Sequence, residues 1–385
     1  MRIAVPRETA LREARVALVP ETLAKVRAAG HTVVVETGAG VRAGHSDDAY
    51  REAGAEIAPD FAACVNGANA ILKVREPSLE EAASYPSSAA LLGLLGRGEN
   101  TALFDTYRAR QLSVFSLHAL PRTSRAQNMD ALSSMAAVAG YKAVLLAAAA
   151  SPKFFPLLMT AAGTVAPSRV LVLGAGVAGL QAIATARRLG AVVEAFDVRP
   201  AVKEEVMSLG ATFLELPLGE AGVGAGGYAK ELDDQRQQQV RDLIQSRLPN
   251  TDVLITTASI PGRRAPVLVT ASMASHLKAG AVVVDLAADS GGNCELTVAG
   301  ETVQKNGATF LGPLDIAASV PKDASQMYAR NLLSLVLHLS KDGALNVDLS
   351  DDITRGTCLT HEGRTAAELA ATVLVEKVEK VEKPA

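Results

Sequence analysis

The sequence predicts an α/β protein of two doubly wound, parallel-sheet, Rossmann-like domains with a cleft between them. Three observations predict it. Short β-rich runs alternate with longer helical patterns along all 385 residues. Those runs are apolar along their length, the mark of parallel strands covered on both faces. One stretch, RVLVLGAGVAGLQAIATARRLGAVVEAFDVRP at 169–200, also has the strand, glycine turn, helix and second strand of a dinucleotide-binding unit. We divide the chain into a discontinuous first domain, 1–130 plus 318–385, and a dinucleotide-binding domain, 131–317. That division suits the length.

In the first domain the candidate strands are IAVP, HTVVVET, AILKV, AALLGLL, TALFD and LSVFSL. Helices such as VPETLAKVRAAG lie between them, with Gly30 placed as a C-terminal stop. The Ala-rich stretch 126–150 is helical and bridges the domains. In the second domain the strands are RVLVLGA, VVEAFDV, TFLEL, DVLITTA, AVVVDLA and TFLGP. Past residue 318, DASQMYARNLLSLVLHLSKDG is a long helical pattern that returns to the first domain. VEKVEKVEKPA, at the end, is a small charged repeat with the composition of a frayed tail.

Composition excludes several classes of function. A net charge of −3 gives no signal for nucleic acid or another polyanion. Trp is absent and aromatics make up 4%, so Ala, Val and Leu must fill the cores. Cys64, Cys294 and Cys358 are far apart and form no CxxC, which predicts neither a disulfide framework nor a zinc site, and no metal. MRIAVPRETA has no apolar run like that of a signal peptide. AAVAGYKAVLLAAAA carries Lys142, and no stretch offers the roughly 20 clean apolar residues of a spanning helix. The expectation is a soluble chain that inserts nowhere and meets a membrane only through a partner.

RVLVL is a buried strand, and Gly174, Gly176 and Gly179 form GxGxxG at the turn into a helix. The first glycine permits the tight turn, the second lets the backbone approach a pyrophosphate, and the third lets helix pack on strand. Val177 and Ala178 then open the helix, where free N–H groups and positive potential suit phosphates. VVEAFD ends in Asp197, 23 residues after Gly174, close to the spacing of a ribose-binding acid. A carboxylate there accepts from ribose hydroxyls and repels a 2′-phosphate, which favours NAD over NADP. Val198 adjoins it, and Arg199 nearby weakens the discrimination a little.

A dehydrogenase needs a proton donor or acceptor beside the ring it reduces or oxidises. None of the six histidines belongs to a metal-spaced pair or a nucleophile–base motif; His118, after LSVFS, is the hardest to dismiss. TTASIPGRRAP, with Ala258, follows a strand and belongs at the carboxyl edge of the sheet, where ligands sit. GGYAKELDDQRQQQ, glycines before a polar helical run, has the pattern of a mobile loop or of a solvated surface excursion.

PRTSRAQNMDALSSMAAVAGYKAV (Pro121–Val144) resembles the signature of the NAD(H)-binding component of proton-translocating nicotinamide nucleotide transhydrogenases. The likeness continues through MTAAGTVAPSRVLVLGAGVAGLQAIATARRLGA, GGYAKE, TTASIPGRRAPVLVT and VVVDLAADSGGNCELT, nearly the whole chain in order. The related alanine dehydrogenases resemble VPRETALREARVALVPE and ILKVREP, where Arg15 and Lys73 fall in substrate-site motifs. They carry a catalytic His soon after the second motif, where this chain has LLGLLGRGEN, and their sequence is unlike RAQNMD.

The resemblance implies direct hydride transfer from NADH to NADP⁺ bound on another subunit, coupled to proton translocation, with no acid–base chemistry in this component. It implies that Arg122, Gln127, Asp130 and Ser133 face the nicotinamide ribose and carboxamide. Their spacing would place Gln127, Asp130 and Ser133 on one helix face; a polar helix-cap cluster is the bland alternative. It implies that Gly227 and Tyr228 contact the nucleotide as their loop closes. It further implies a homodimer, a membrane-spanning subunit and an NADP(H)-binding subunit as partners, and a cytoplasmic location peripheral to the inner membrane. A stand-alone alanine-type dehydrogenase and an NAD-sensing binding module are the competing readings.

Overall fold

The computed structural model describes residues 1–96, 98–216, 234–259 and 263–369. The chain forms two compact units, Met1–Met135 with Ala318–Ala385, and Ala136–Ala317.

The first unit begins β1 (Arg2–Val5), α1 (Leu23–Ala28), β2 (Thr32–Glu36), α2 (Asp47–Glu52), β3 (Glu56–Ala58), α3 (Phe61–Val65), β4 (Ala70–Leu72), α4 (Leu79–Ser84), β5 (Ala90–Gly93), α5 (Thr101–Ala109) and β6 (Ser113–Ser116). Local chemistry fixes the helix ends. Gly30, at φ +79°, takes the left-handed turn that stops α1. Ser46 and Asp60 cap α2 and α3, and Ser78 with Glu81 forms a full capping box on α4. TALFD, expected as a strand, is the start of α5. The Asn100 side chain accepts from the Leu103 amide, and Leu103 and Tyr107, one helical turn apart, are buried together. The cap and a four-residue apolar spacing outweigh a short apolar run.

Helix α6 (Ala131–Ala150) carries the chain into the second unit. It starts five residues later than its composition suggested. It is 20 residues long with a mean hydropathy of 1.5, so by length and composition alone it could cross a membrane, contrary to the sequence expectation. A core helix of small residues has the same profile, and Ala143, Val144 and Ala147 are fully buried in the second unit's core. A Cβ on Gly140 would overlap the Ala178 carbonyl, so glycine lets α6 cross close to the next helix.

The second unit continues with a hairpin, β7 (Leu158–Thr160) and β8 (Gly163–Val165), then β9 (Arg169–Leu173), α7 (Val177–Arg188), β10 (Val192–Phe196), α8 (Lys203–Ser208), β11 (Thr212–Phe213), α9 (Asp234–Arg247), β12 (Val253–Thr256), α10 (Ala271–Ala274), β13 (Val282–Asp285), β14 (Thr302–Lys305) and β15 (Ala308–Leu311). The sheet order is β11-β10-β9-β12-β13-β15-β14, parallel but for β14. Alternate residues of β9 serve opposite faces. Val170 and Val172 join a core with α6 and α7, while Leu171 and Leu173 join one with Val240, Ile244 and Met273 of α9 and α10. Burial on both faces is why such strands are apolar throughout.

The chain returns through α11 (Pro321–His338), a small hairpin of β16 (Ser340–Lys341) and β17 (Ala344–Leu345), α12 (Asp352–Thr357), β18 (Cys358–His361) and β19 (Arg364–Thr365). The first sheet then reads β19-β18-β6-β5-β4-β1-β2-β3, with β1 to β6 parallel and β18 antiparallel on β6. In both units the strand order reverses direction beside the first sheet strand. Those topological switch points lie between β1 and β4, and between β9 and β12. In open α/β sheets, ligands bind at such points. The VEKVEKVEKPA tail lies outside the described residues.

Candidate functional site

At the second switch point, each glycine of the turn has a separate reason to be there. Gly174 has φ +98°, and a Cβ on it would stand 2.6 Å from Thr257 Oγ1, just past β12. A Cβ on Gly179 would overlap the Gly174 carbonyl oxygen. Backbone and packing demand glycine at both. Gly176, the N-cap of α7, has φ −77°, which any residue adopts, and a Cβ there would meet only Arg199 Nη2, at 4.0 Å. The protein itself does not need that glycine. The space is kept in front of the exposed N–H groups at Val177 and Ala178, where a phosphate would sit. A cradle that a Cβ would fill fits a dinucleotide pyrophosphate.

Asp197, 9% exposed, lies just past β10. Its Oδ2 accepts from the Ala175 amide (2.7 Å) and Arg199 Nη2 (2.9 Å), and its Oδ1 from the Arg199 amide (2.8 Å) and Nε (2.9 Å). The carboxylate ties the turn to the next strand, and the Arg199 guanidinium occupies the acceptor positions that ribose hydroxyls would use. Arg199 therefore pairs with Asp197 rather than standing apart as a second cation. Val198 packs against the second core.

Two residues not singled out by the sequence reading hold the facing loop. Asp285, fully buried at the end of β13, accepts from Thr256 Oγ1 and from the amides of Ala287, Asn293 and Cys294, at 2.8–3.0 Å. Asn293 then bonds both backbone groups of Ala258: its Oδ1 accepts from the amide (3.0 Å) and its Nδ2 donates to the carbonyl (2.8 Å). The Ala258 backbone is thus spoken for. DSGGNCELT carried the signal, an Asp and an Asn around two glycines of positive φ. Gly227 and Tyr228 lie outside the described residues.

The first unit holds the other four candidates. They do not share one helix face. Ser124–Met129 is a 3-10 run, the backbone breaks at Asp130 (ψ 81°), and α6 begins after it. Asp130 caps α6, its Oδ1 accepting from the Ser133 amide (2.9 Å) and its Oδ2 from Ser133 Oγ (2.6 Å). An Asp before a helix prefers that cap to a helical conformation. Gln127 and Arg122 are exposed.

Two sequence profiles cover nearly the whole chain: the N-terminal domain of alanine dehydrogenase/PNT over residues 4–139, and its C-terminal domain over 143–368. The chain belongs to the alanine dehydrogenase/PNT family. Within it, the chain is 44% identical over 372 residues to the first of the polypeptides that make up NAD(P) transhydrogenase subunit alpha in Rhodospirillum rubrum, covering 94% of this chain and 97% of that one. A solved transhydrogenase from Sinorhizobium meliloti matches at a TM-score of 0.87 and 40% identity, over 95% of this chain and all of that one. An L-alanine dehydrogenase structure matches at 0.78 and 26%, over 97% and 99%. The chain stands on the transhydrogenase side of the alanine dehydrogenase/PNT family.

The first switch point bears on the other side of that family. Arg15 and Lys73 are buried and already paired. Glu13 accepts from Arg15 Nε (2.7 Å) and Nη2 (2.5 Å) and from Arg75 Nε (2.9 Å). Lys73 Nζ lies 3.5 Å from Glu8 and 3.4 Å from Glu81. Burial pushes the Glu8 carboxyl above its ordinary range despite Lys73. Burial would also raise Glu13, but its bonds from Arg15 and Arg75 hold it below that range. Three acids balance three bases, so a substrate carboxylate would add an unmatched charge. His118, half-buried, donates from Nδ1 to the Leu95 carbonyl (2.8 Å), a packing role.

Proposed function

We propose that this chain is the NAD(H)-binding component of a proton-translocating transhydrogenase. It holds NADH for direct hydride transfer to NADP⁺ on a partner subunit, and a membrane-spanning subunit couples the transfer to proton movement. The observation that carries this reading is the open position at Gly176, a glycine that only a ligand requires. The 44% identity to a transhydrogenase alpha subunit supports it. Hydride transfer between two nicotinamides releases no proton at the reacting atoms. Its requirements are an approach of about 3–3.5 Å and exclusion of water, so the residues here position rather than titrate. Gly174, Gly176, Val177, Ala178, Gly179, Asp197, Val198, Arg199 and Ala258 form the pyrophosphate and adenosine end. Arg122, Gln127, Asp130 and Ser133 face the nicotinamide end, where Asp130 keeps acceptor capacity for a carboxamide NH₂. Gly227 and Tyr228 close over the nucleotide.

The component works as a homodimer at the cytoplasmic face of the inner membrane. The β7–β8 hairpin supports this: it is almost wholly exposed, with Met159 76% exposed, and a lone two-stranded hairpin is barely stable in water. The test is to mix the NADH-loaded chain with an NADP⁺-loaded partner subunit and follow NADPH within one turnover. Asp197→Asn should weaken NADH binding by about 1–3 kcal/mol through the lost acceptor, measured by calorimetry. Gln127→Ala should slow transfer more than binding in stopped flow. Steady NADH formation from NAD⁺ and L-alanine by the chain alone would overturn the reading.

A further inference from the structure

The run Ser124–Met129 is unusual as a piece of backbone. Six residues is long for a 3-10 helix, whose strained hydrogen bonds seldom extend past three or four. Its N-cap, Thr123, makes no side-chain capping bond. Burial of Ala126 and Met129 anchors its inner face, but that leaves the register of the exposed residues loose. Two further tethers act on the residues either side of Gln127, and both come from the returning C-terminal segment. Asn331, 8% exposed on α11, donates from Nδ2 to the Asn128 carbonyl (2.9 Å). Arg125 donates to Asp351 Oδ2 (2.6 Å) and to Asp352 Oδ1. Asp351 is itself held. Its Oδ1 caps α12 through the Ile353 and Thr354 amides (both 3.0 Å) and accepts from His338 Nε2 (2.9 Å) at the end of α11. An exposed ion pair alone contributes little, but a cation set against two carboxylates, one of them fixed by three further donors, forms a network.

We propose that Asn331 and the Asp351–Asp352 pair, acting through Asn128 and Arg125, are positioning residues that set the orientation of Gln127. They touch no reacting atom. The proposal rests on the reading that Gln127 faces the nicotinamide, and positional errors of about 1 Å there can cost as much as a hundredfold in rate.

The test uses the full chain with its NADP⁺-loaded partner subunit and four variants: Asn331→Ala, Arg125→Gln, Arg125→Lys and Asp351→Ser. The last keeps a capping oxygen for α12 while discharging the clamp. Melting curves select variants that remain folded. Asn331→Ala and Arg125→Gln should slow single-turnover hydride transfer about tenfold or more while NADH affinity stays within about threefold. Arg125→Lys should recover some of the loss, since a point charge still reaches a carboxylate. On the chain alone, amide exchange at Ala126 and Asp130 should quicken in the same variants. Unchanged exchange and wild-type transfer, with Gln127→Ala still slow, would overturn the positioning role and leave the nicotinamide-end reading standing. A parallel fall in NADH affinity and transfer would mark the tethers as merely structural and also overturn it. Wild-type transfer in Gln127→Ala would instead remove the reading beneath it.

Discussion

In the first unit, the crevice past β1 and β4 holds Glu8, Lys73 and Glu81, with Arg15, Glu13 and Arg75 beside them. In the second, the crevice past β9 and β12 holds Gly174, Gly176 and Thr257. The two sheets share their central strand order, so the same topological place has been used in opposite ways. One is packed shut by charged side chains that neutralise each other. The other is emptied of side chains, so that backbone N–H groups line it. The fold supplies the crevice, and a handful of residues decide whether it is a core or a cradle. The two also differ in how they tolerate change. A balanced ion cluster fails when one member is removed, whereas a cradle fails when something is added.

Lys73→Met should have the largest effect, because Glu8 and Glu81 would stay buried without their cation. We expect a stability loss of about 3–5 kcal/mol by denaturant titration. A loss below about 1 kcal/mol would mean that water reaches the cluster, and the contrast between the two crevices would break. Next comes a pair in the second unit. Gly179→Ala should cost about 1–3 kcal/mol of stability through overlap with the Gly174 carbonyl. Gly176→Ala should cost less than about 1 kcal/mol of stability, yet weaken NADH binding at least about tenfold, or 1.4 kcal/mol, by calorimetry. If both glycines behaved alike, Gly176 would be a packing residue and not a reserved space.

The smallest effect is in pH. Arg15 and Arg75 bonds outweigh burial and hold the native Glu13 pKa below its ordinary 4.5. A depressed acid contributes stability that is whole above about 4.5 and is lost as pH falls through the lowered native value. Acid titration of Glu13→Gln beside wild type should show the two stabilities converging below that point. Divergence would place the cluster in water.

What was legible in the sequence follows the same divide. The cradle is contiguous: strand, three glycines, helix, second strand and Asp197 fall within 169–197, and chain order alone exposed it. The parallel strands were legible because burial on both faces leaves no polar position. TALFD misled because five apolar-rich residues carry no period, and it took Asn100 and Tyr107 to show which way they fold. The Arg122–Ser133 motif was recognisable as a string, but its backbone was not. An Asp at a helix start competes for the cap, and Asp130 won against a continuous helix. Beyond the string's reach were partners more than 200 residues away, Asn331 and Asp351, because nothing in one sequence says which distant polar side chains meet. The pairing of Arg199 with Asp197 was hidden for a smaller reason: adjacency showed that they were near, not that they were bonded.

The order of manufacture adds a consequence. As the polypeptide leaves the ribosome, residues 136–317 appear as one uninterrupted length, and β9 to β15 can assemble as soon as they emerge. The 3-10 run at Ser124–Met129 emerges earlier but has to wait, since its two external holds lie on α11 and at the mouth of α12. A nascent chain halted near residue 320 would own a finished adenosine pocket and an unanchored nicotinamide loop. Coenzyme could be captured during synthesis, while the geometry for passing on its hydride would be the last thing made.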